Sequence, residues 1–92
     1  MNKRALAANI AAEAEFDLAT AEAALDAVVA TITAALERGE RISLPGFGTF
    51  ETRERAARTG RSPQTGEPIE IAASVVPAFK PAAALKRAVS GN

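Results

Sequence analysis

The chain of 92 residues has no cysteine, histidine, tryptophan or tyrosine. Without cysteine or histidine there is no disulfide framework, no thiolate nucleophile, no zinc site of the usual ligand types and no side chain of the kind most often used as a general base. Catalysis, a cofactor and a metal centre are therefore not expected. Aromatic side chains are confined to Phe16, Phe47, Phe50 and Phe79, and much of the 48% apolar content is alanine. A chain this short buries only a modest share of its surface when folded alone, so a partner subunit is expected to complete its thin core. The opening stretch MNKRALAANIAAEAEF also lacks an uninterrupted apolar run of signal or membrane-spanning length, because Glu13, Glu15 and Asp17 interrupt it. A cytoplasmic location without membrane contact is the default expectation.

Net charge is absent too, at zero, yet the charges are unevenly placed. Residues 1–50 carry four basic side chains against seven acidic ones, and the remainder carries seven basic against four acidic. Such a split is either chance or the mark of an anionic partner for one half.

What is present reads first as two helices. Asn2 is placed to accept hydrogen bonds from the amides of a following turn, and Leu6, Ile10 and Ala14 recur every four residues. Asp17 starts a second helix in the same way. Leu25, Val28, Val29, Ile32 and Leu36 then form an apolar stripe that runs to Gly39, a residue suited to a left-handed helix end. At ~1.5 Å per residue the second helix is about 30 Å long, and so short a link makes the two a hairpin over about residues 3–38.

The period changes at RISLPGFGTF, where Ile42 and Leu44 alternate with polar neighbours and Pro45, Gly46 and Gly48 punctuate a turn. Phe47 and Phe50 are expected to face the core from strands. Alternation through Thr52, Arg53, Glu54 and Arg55 resumes at Ile69, Glu70 and Ile71, which predicts two antiparallel strands joined by TGRSPQTGEP. With almost nothing apolar to bury, this ribbon is expected to project as a flexible arm. SVVPAF returns to the core, Pro81 suits the first turn of a helix, and residues 82–89 form that brief C-terminal helix, ended by Gly91. No second domain or linker is evident.

The ribbon gathers Arg53, Arg55, Arg58 and Arg61. Guanidiniums are always ionised, hold phosphate oxygens in a fork, and are drawn into a narrow minor groove by its negative potential. A solvated surface hairpin is the competing reading. Pro63 at the tip is either a turn former or a wedge between base pairs, since its ring can replace a stacking contact without leaving a donor unsatisfied. Wedging partly unstacks a step at a cost of about a few kcal/mol.

The segment GFGTFETRERAARTGRSPQTG, Gly46 to Gly66, resembles the signature of the bacterial HU/IHF family of histone-like DNA-binding proteins, and the similarity runs without a gap from MNK to ALKRAV. The HU branch is the better match. This resemblance implies an α+β fold forming an intertwined dimer, with an α-helical hairpin base, a small antiparallel β-sheet saddle, two protruding β-ribbon arms and a short C-terminal helix. It implies one domain over 1–92, with the saddle and arm at about 41–80. By its motif, Arg53, Arg55, Arg58 and Arg61 stand at DNA-contacting arm positions, Pro63 at the intercalating position with Gln64 beside it, and Lys3, Lys80 and Lys86 at basic body positions that touch flanking DNA. Phe47, Phe50 and Phe79 match the dimer core.

The implied partner is double-stranded DNA, favoured when bent, nicked or distorted, with the protein a nucleoid-associated homodimer or a heterodimer with a paralogue. The chain departs from the pattern at Ser62 before the tip proline, at Glu67 and Glu70 on the returning strand, at Ala83, and in a pI near 6.3. Each acidic change opposes phosphate binding, which leaves room for a specialised subunit that acts through a paralogous or other protein partner. Sequence-specific recognition of the IHF kind is a smaller alternative.

Overall fold

The computed structural model describes residues 1–91. In chain order it contains α1 (Lys3–Ala14), α2 (Leu18–Glu37), β1 (Ile42–Leu44), β2 (Gly48–Arg55), β3 (Arg58–Arg61), β4 (Pro68–Ile71), β5 (Ser74–Pro81) and α3 (Ala83–Ser90), an α+β arrangement. Two compact units are present, Met1–Ala35 and the segment from Leu36 onward.

In the helical unit both expected caps form. Asn2 Oδ1 accepts from the Ala5 N–H at 2.8 Å, and Asp17 Oδ1 accepts from the Thr20 N–H at 2.7 Å. These bonds satisfy amides that a helix start otherwise leaves orphaned. α1 stops at Glu15, which takes the left-handed conformation (φ 57°) while its N–H donates to the Ala11 carbonyl. Lys3 Nζ reaches Asp26 Oδ1 at 3.0 Å, tying the start of α1 to α2 across an antiparallel hairpin.

The packing differs from the expected stripes. Ala7 and Ala21 are completely buried and Ala35 nearly so, whereas Leu6 is 42% exposed. A methyl group is short enough to be covered completely by the side chains around it, while a longer side chain in the same region reaches past them toward solvent. On α2, Leu25, Ile32 and Leu36 are half-buried but Val28 and Val29 are more than half exposed. α2 is also long and apolar enough to cross a membrane by length and composition. Much of that apolarity comes from alanine, and Glu22 and Asp26 lie on the same helix, where intramembrane carboxylates are costly. An uncovered apolar side is equally what a second subunit would bury.

The second unit is built on a sheet of order β1-β2-β5, antiparallel throughout. A turn joins β1 to β2: the Phe47 N–H donates to the Leu44 carbonyl at 3.0 Å, with Pro45 and Gly46 at its centre and Gly46 at φ 80°. Proline followed by a residue of positive φ is the type II pattern. Phe47 thus sits in the turn, not in a strand as expected, because the proline and glycine before it complete the reversal there. Its ring packs on Phe79, which also packs on Phe50, at centroid distances of 5.4 and 4.8 Å.

Register sorts the side chains between two faces. Ile42, Leu44, Phe50 and Phe79 alternate onto one face, and Ser43, Thr49, Glu51, Arg53, Arg55 and Lys80 onto the other. β5 is an edge strand carrying Pro77 and Pro81, where a missing N–H is tolerated and unwanted strand pairing is discouraged. Pro81 therefore ends β5, pairing with Gly48, and does not open the helix as expected. Ala82 caps α3 without a side-chain bond, its N–H instead donating to the Phe47 carbonyl at 2.9 Å.

β3 and β4 form a second, two-stranded ladder. Arg55 faces Ser74 and Arg58 faces Ile71, so the ribbon keeps one register with no inserted residue. Between the ladders Ala56 and Ala57 stand opposite Ala72 and Ala73, unassigned to strands. Thr59, Gly60, Arg61 and Pro68, expected in the connecting loop, are paired residues instead. The ribbon also has an apolar stripe that sequence reading denied it: Ile69 and Ile71 share a face with Arg58 and Gly60, and the Ile71 side chain covers Gly60 closely. Pairing creates that stripe by aligning two isoleucines with a residue that has no side chain.

Candidate nucleic-acid interface

The arm ends in a tight reversal. The Ser62 N–H donates to the Glu67 carbonyl and the Gly66 N–H to the Ser62 carbonyl, both at 2.8 Å. Pro63, Gln64 and Thr65 lie within this loop and are exposed. Arg61 Nη1 donates to the Gly66 carbonyl at 2.9 Å, bracing the tip. One such bond uses one of five guanidinium N–H groups, so most of the donor capacity of Arg61 remains.

Alternation places the arm arginines on different faces. Arg58 shares its face with Gly60, Ile69 and Ile71, and Arg61 shares the other with Thr59, Glu70 and Pro68. A ribbon lying in a groove has a wall on each side, and this one offers a cation to both. Glu70 sits on β4 opposite Thr59; Glu67 precedes β4 and belongs to the tip, its N–H donating to Thr65 Oγ1 at 3.3 Å.

On the saddle, Arg53, Arg55 and Lys80 share the polar face. Arg53 Nε lies 3.9 Å from Glu51 Oε2, while Lys80 Nζ and Arg41 Nη2 each lie 3.9 Å from Glu51 Oε1. Arg41 and Glu51 were not singled out by the sequence reading. The alternation Arg41, Ser43 and Thr49, Glu51, Arg53 on either side of the Pro-Gly turn is the signal that could have found them. Lys3 lies in the helical unit, bound to Asp26 with both side chains more than half exposed. Lys86 is exposed on α3, next to Arg87 in its last turn. Thus the structure gathers Arg53 with Lys80 on the saddle and sets Arg58, Arg61, Pro63 and Gln64 on the arm, with Lys3 and Lys86 on separate helices.

The sequence matches the family described as bacterial DNA-binding protein over residues 1–90. It is 56% identical to DNA-binding protein HU-beta of Pseudomonas aeruginosa over 90 residues, which is 98% of this chain and all of that protein. Identity to DNA-binding protein HU 1 of Bacillus subtilis is also 56%, over 92 residues and the whole of both chains. Among solved structures, the Anabaena HU–DNA cocrystal structure aligns over the whole of both chains with a TM-score of 0.94 at 41% identity. HU from Thermotoga maritima aligns over 97% of this chain and 98% of that one, with a TM-score of 0.69 at 34% identity. A full-length match in sequence, a shared α+β fold and an arginine-bearing ribbon with a proline tip together make this chain a member of the HU/IHF family of bacterial DNA-binding proteins.

Proposed function

We propose that the chain is a non-enzymatic architectural protein that works as a dimer, binds the minor groove of duplex DNA with little sequence preference, and bends and compacts it within the cytoplasmic nucleoid. The observation that carries this reading is the ribbon itself, held in a single register from the saddle to its tip, with arginines on both arm faces and an exposed proline at the end. Its relatives bear the name DNA-binding protein HU, and a structural neighbour is an HU–DNA complex.

In this reading residues 1–92 act as one DNA-binding domain. Arg53, Arg55, Arg58 and Arg61 hold backbone and groove atoms, Pro63 intercalates with Gln64 beside it, and Lys3, Lys80 and Lys86 reach flanking phosphates. The dimer follows from the thin lone-chain core, whose buried apolar side chains among the described residues are three alanines, while Phe47, Phe79, Val28 and Val29 stay exposed. Kinked DNA wraps more of the protein surface, and those contacts offset the unstacking cost.

Gel shifts with intact and nicked duplex of the same sequence, run across a salt series, test the proposal. Tighter binding to the nicked duplex is the expected result, with log affinity falling linearly in log salt at a slope of roughly 0.9 per phosphate neutralised. Binding that is absent in dilute salt, or indifferent to salt, would overturn it.

A further inference from the structure

Glu51 is the least accessible charged group on the polar face of the saddle. Its side chain is 14% exposed, and Oε1 is buried without a hydrogen-bond partner among the described residues. Three cations surround it at 3.9 Å: Arg41 and Lys80 about Oε1, and Arg53 about Oε2. Their own side chains are 69%, 60% and 55% exposed. The carboxylate therefore lies inside and the cations form an outer rim.

A separation of 3.9 Å is an ion pair but too long for a hydrogen bond. The N–H groups of the rim are thus left free to donate outward while the carboxylate attracts their charge. Three cations near one carboxylate present two net charges to an incoming polyanion, so Glu51 occupies electrostatically the place of one backbone phosphate. Counterion release scales with the cationic charge available to neutralise phosphates, so the carboxylate lowers the number of ions that binding can release.

We propose that Glu51 is an intramolecular competitor of the DNA backbone on the saddle, and that Arg41, held beside Arg53 and Lys80, is a phosphate-binding residue. The inference rests on the DNA-binding reading above. It makes the restrained charge of this chain a local property of the interface rather than only a matter of total composition. A phosphate arriving at the rim takes over the outward-facing donors of the three cations, and Glu51 sets how strongly it is held.

The test uses the full chain as purified, with Glu51→Gln and Arg41→Gln, and a linear duplex titrated across a salt series. Glu51→Gln keeps the side-chain shape and removes its charge. The expected result is severalfold tighter binding in dilute salt and a slope steeper by about 0.9, equivalent to one further phosphate. Arg41→Gln is expected to weaken binding and to flatten the slope. Thermal melting without DNA confirms that each variant folds; should Glu51→Gln fail to fold, Glu51→Ala, which also removes the charge, carries the competitor test, while the exposed Arg41 position tests the phosphate contact. Binding by Glu51→Gln that equals or falls below that of the parent overturns the competitor role, and unchanged binding by Arg41→Gln overturns the phosphate contact. If the parent chain also ignores DNA, the functional reading itself is lost, an outcome distinct from either.

Discussion

The ring of Phe79 lies directly over Gly48: a Cβ built on that glycine would stand 2.5 Å from Cε1 and Cζ of the ring and 2.6 Å from the Lys80 carbonyl oxygen. The ring could turn away, but the carbonyl belongs to the strand paired with Gly48 and cannot. Gly48→Ala is therefore expected to destabilise the protein by about 1–3 kcal/mol through overpacking. Urea denaturation reads this as a lower midpoint, and an unchanged midpoint would show that the strand yields.

Glu15 ends α1 in the left-handed region, at φ 57° and ψ 41°. A side chain there meets steric resistance that glycine lacks. Glu15→Gly is expected to stabilise the fold by up to about 1 kcal/mol, with the gain in the midpoint of thermal unfolding. A fall in that midpoint would mean that the Glu15 side chain contributes more than its backbone costs.

Val28 and Val29 are 53% and 55% exposed on the apolar helix α2. Two chains that bury these side chains against each other stabilise one another by mass action, so the melting temperature should rise with protein concentration. Val29→Glu should reduce the molar mass measured by light scattering toward that of one chain. A melting temperature independent of concentration would contradict an obligate dimer.

Pro63 and Arg58 occupy different parts of the arm and should fail differently. If Pro63 is the wedge proposed above, Pro63→Ala is expected to diminish energy transfer between end-labelled duplex termini, with a smaller effect on weak binding to straight DNA. Arg58→Ala should weaken binding to all sequences alike and flatten the salt dependence by roughly 0.9, the share of one phosphate. Equal bending by the parent and Pro63→Ala would leave Pro63 as a turn residue.

Hydrogen bonds from the Thr20 side chain, and then from the Thr20 backbone N–H, hold Asp17 below the usual carboxylate range. The folded state binds this proton less readily than the unfolded chain does. The cap's stabilising contribution is therefore complete above the ordinary aspartate range and is lost as pH falls through the lowered folded value. Asp17→Asn, which retains an acceptor but has no charge, should show a shallower loss of stability in acid. Identical acid profiles for the two proteins would remove Asp17 from the account.

Much of this organisation was legible in the chain. Asn2 and Asp17 announced the helix starts, Gly39 the end of the hairpin, and the arginines with Pro63 the arm, because caps, turns and charge act over a few residues. The resemblance of Gly46 to Gly66 to a known signature supplied the rest of the candidate site, whose roles remain those of the proposal above. Ala7 as the buried position of α1, the turn placement of Phe47, the isoleucine stripe of the ribbon and the cluster of Arg41, Arg53 and Lys80 about Glu51 were not read.

Sequence alone determined where α1 and α2 start, that α2 stops before Gly39, that the chain turns at Pro45 and Gly46, and that its positive charge collects in one half, since each of these depends on near neighbours. Tertiary structure decided which side chains stand opposite one another: Gly60 beneath Ile71, Gly48 beneath Phe79, and three cations around one carboxylate. The physical reason is that a ladder's register and a side chain's burial are set jointly by strands far apart in the chain, and no local pattern specifies the distance between them.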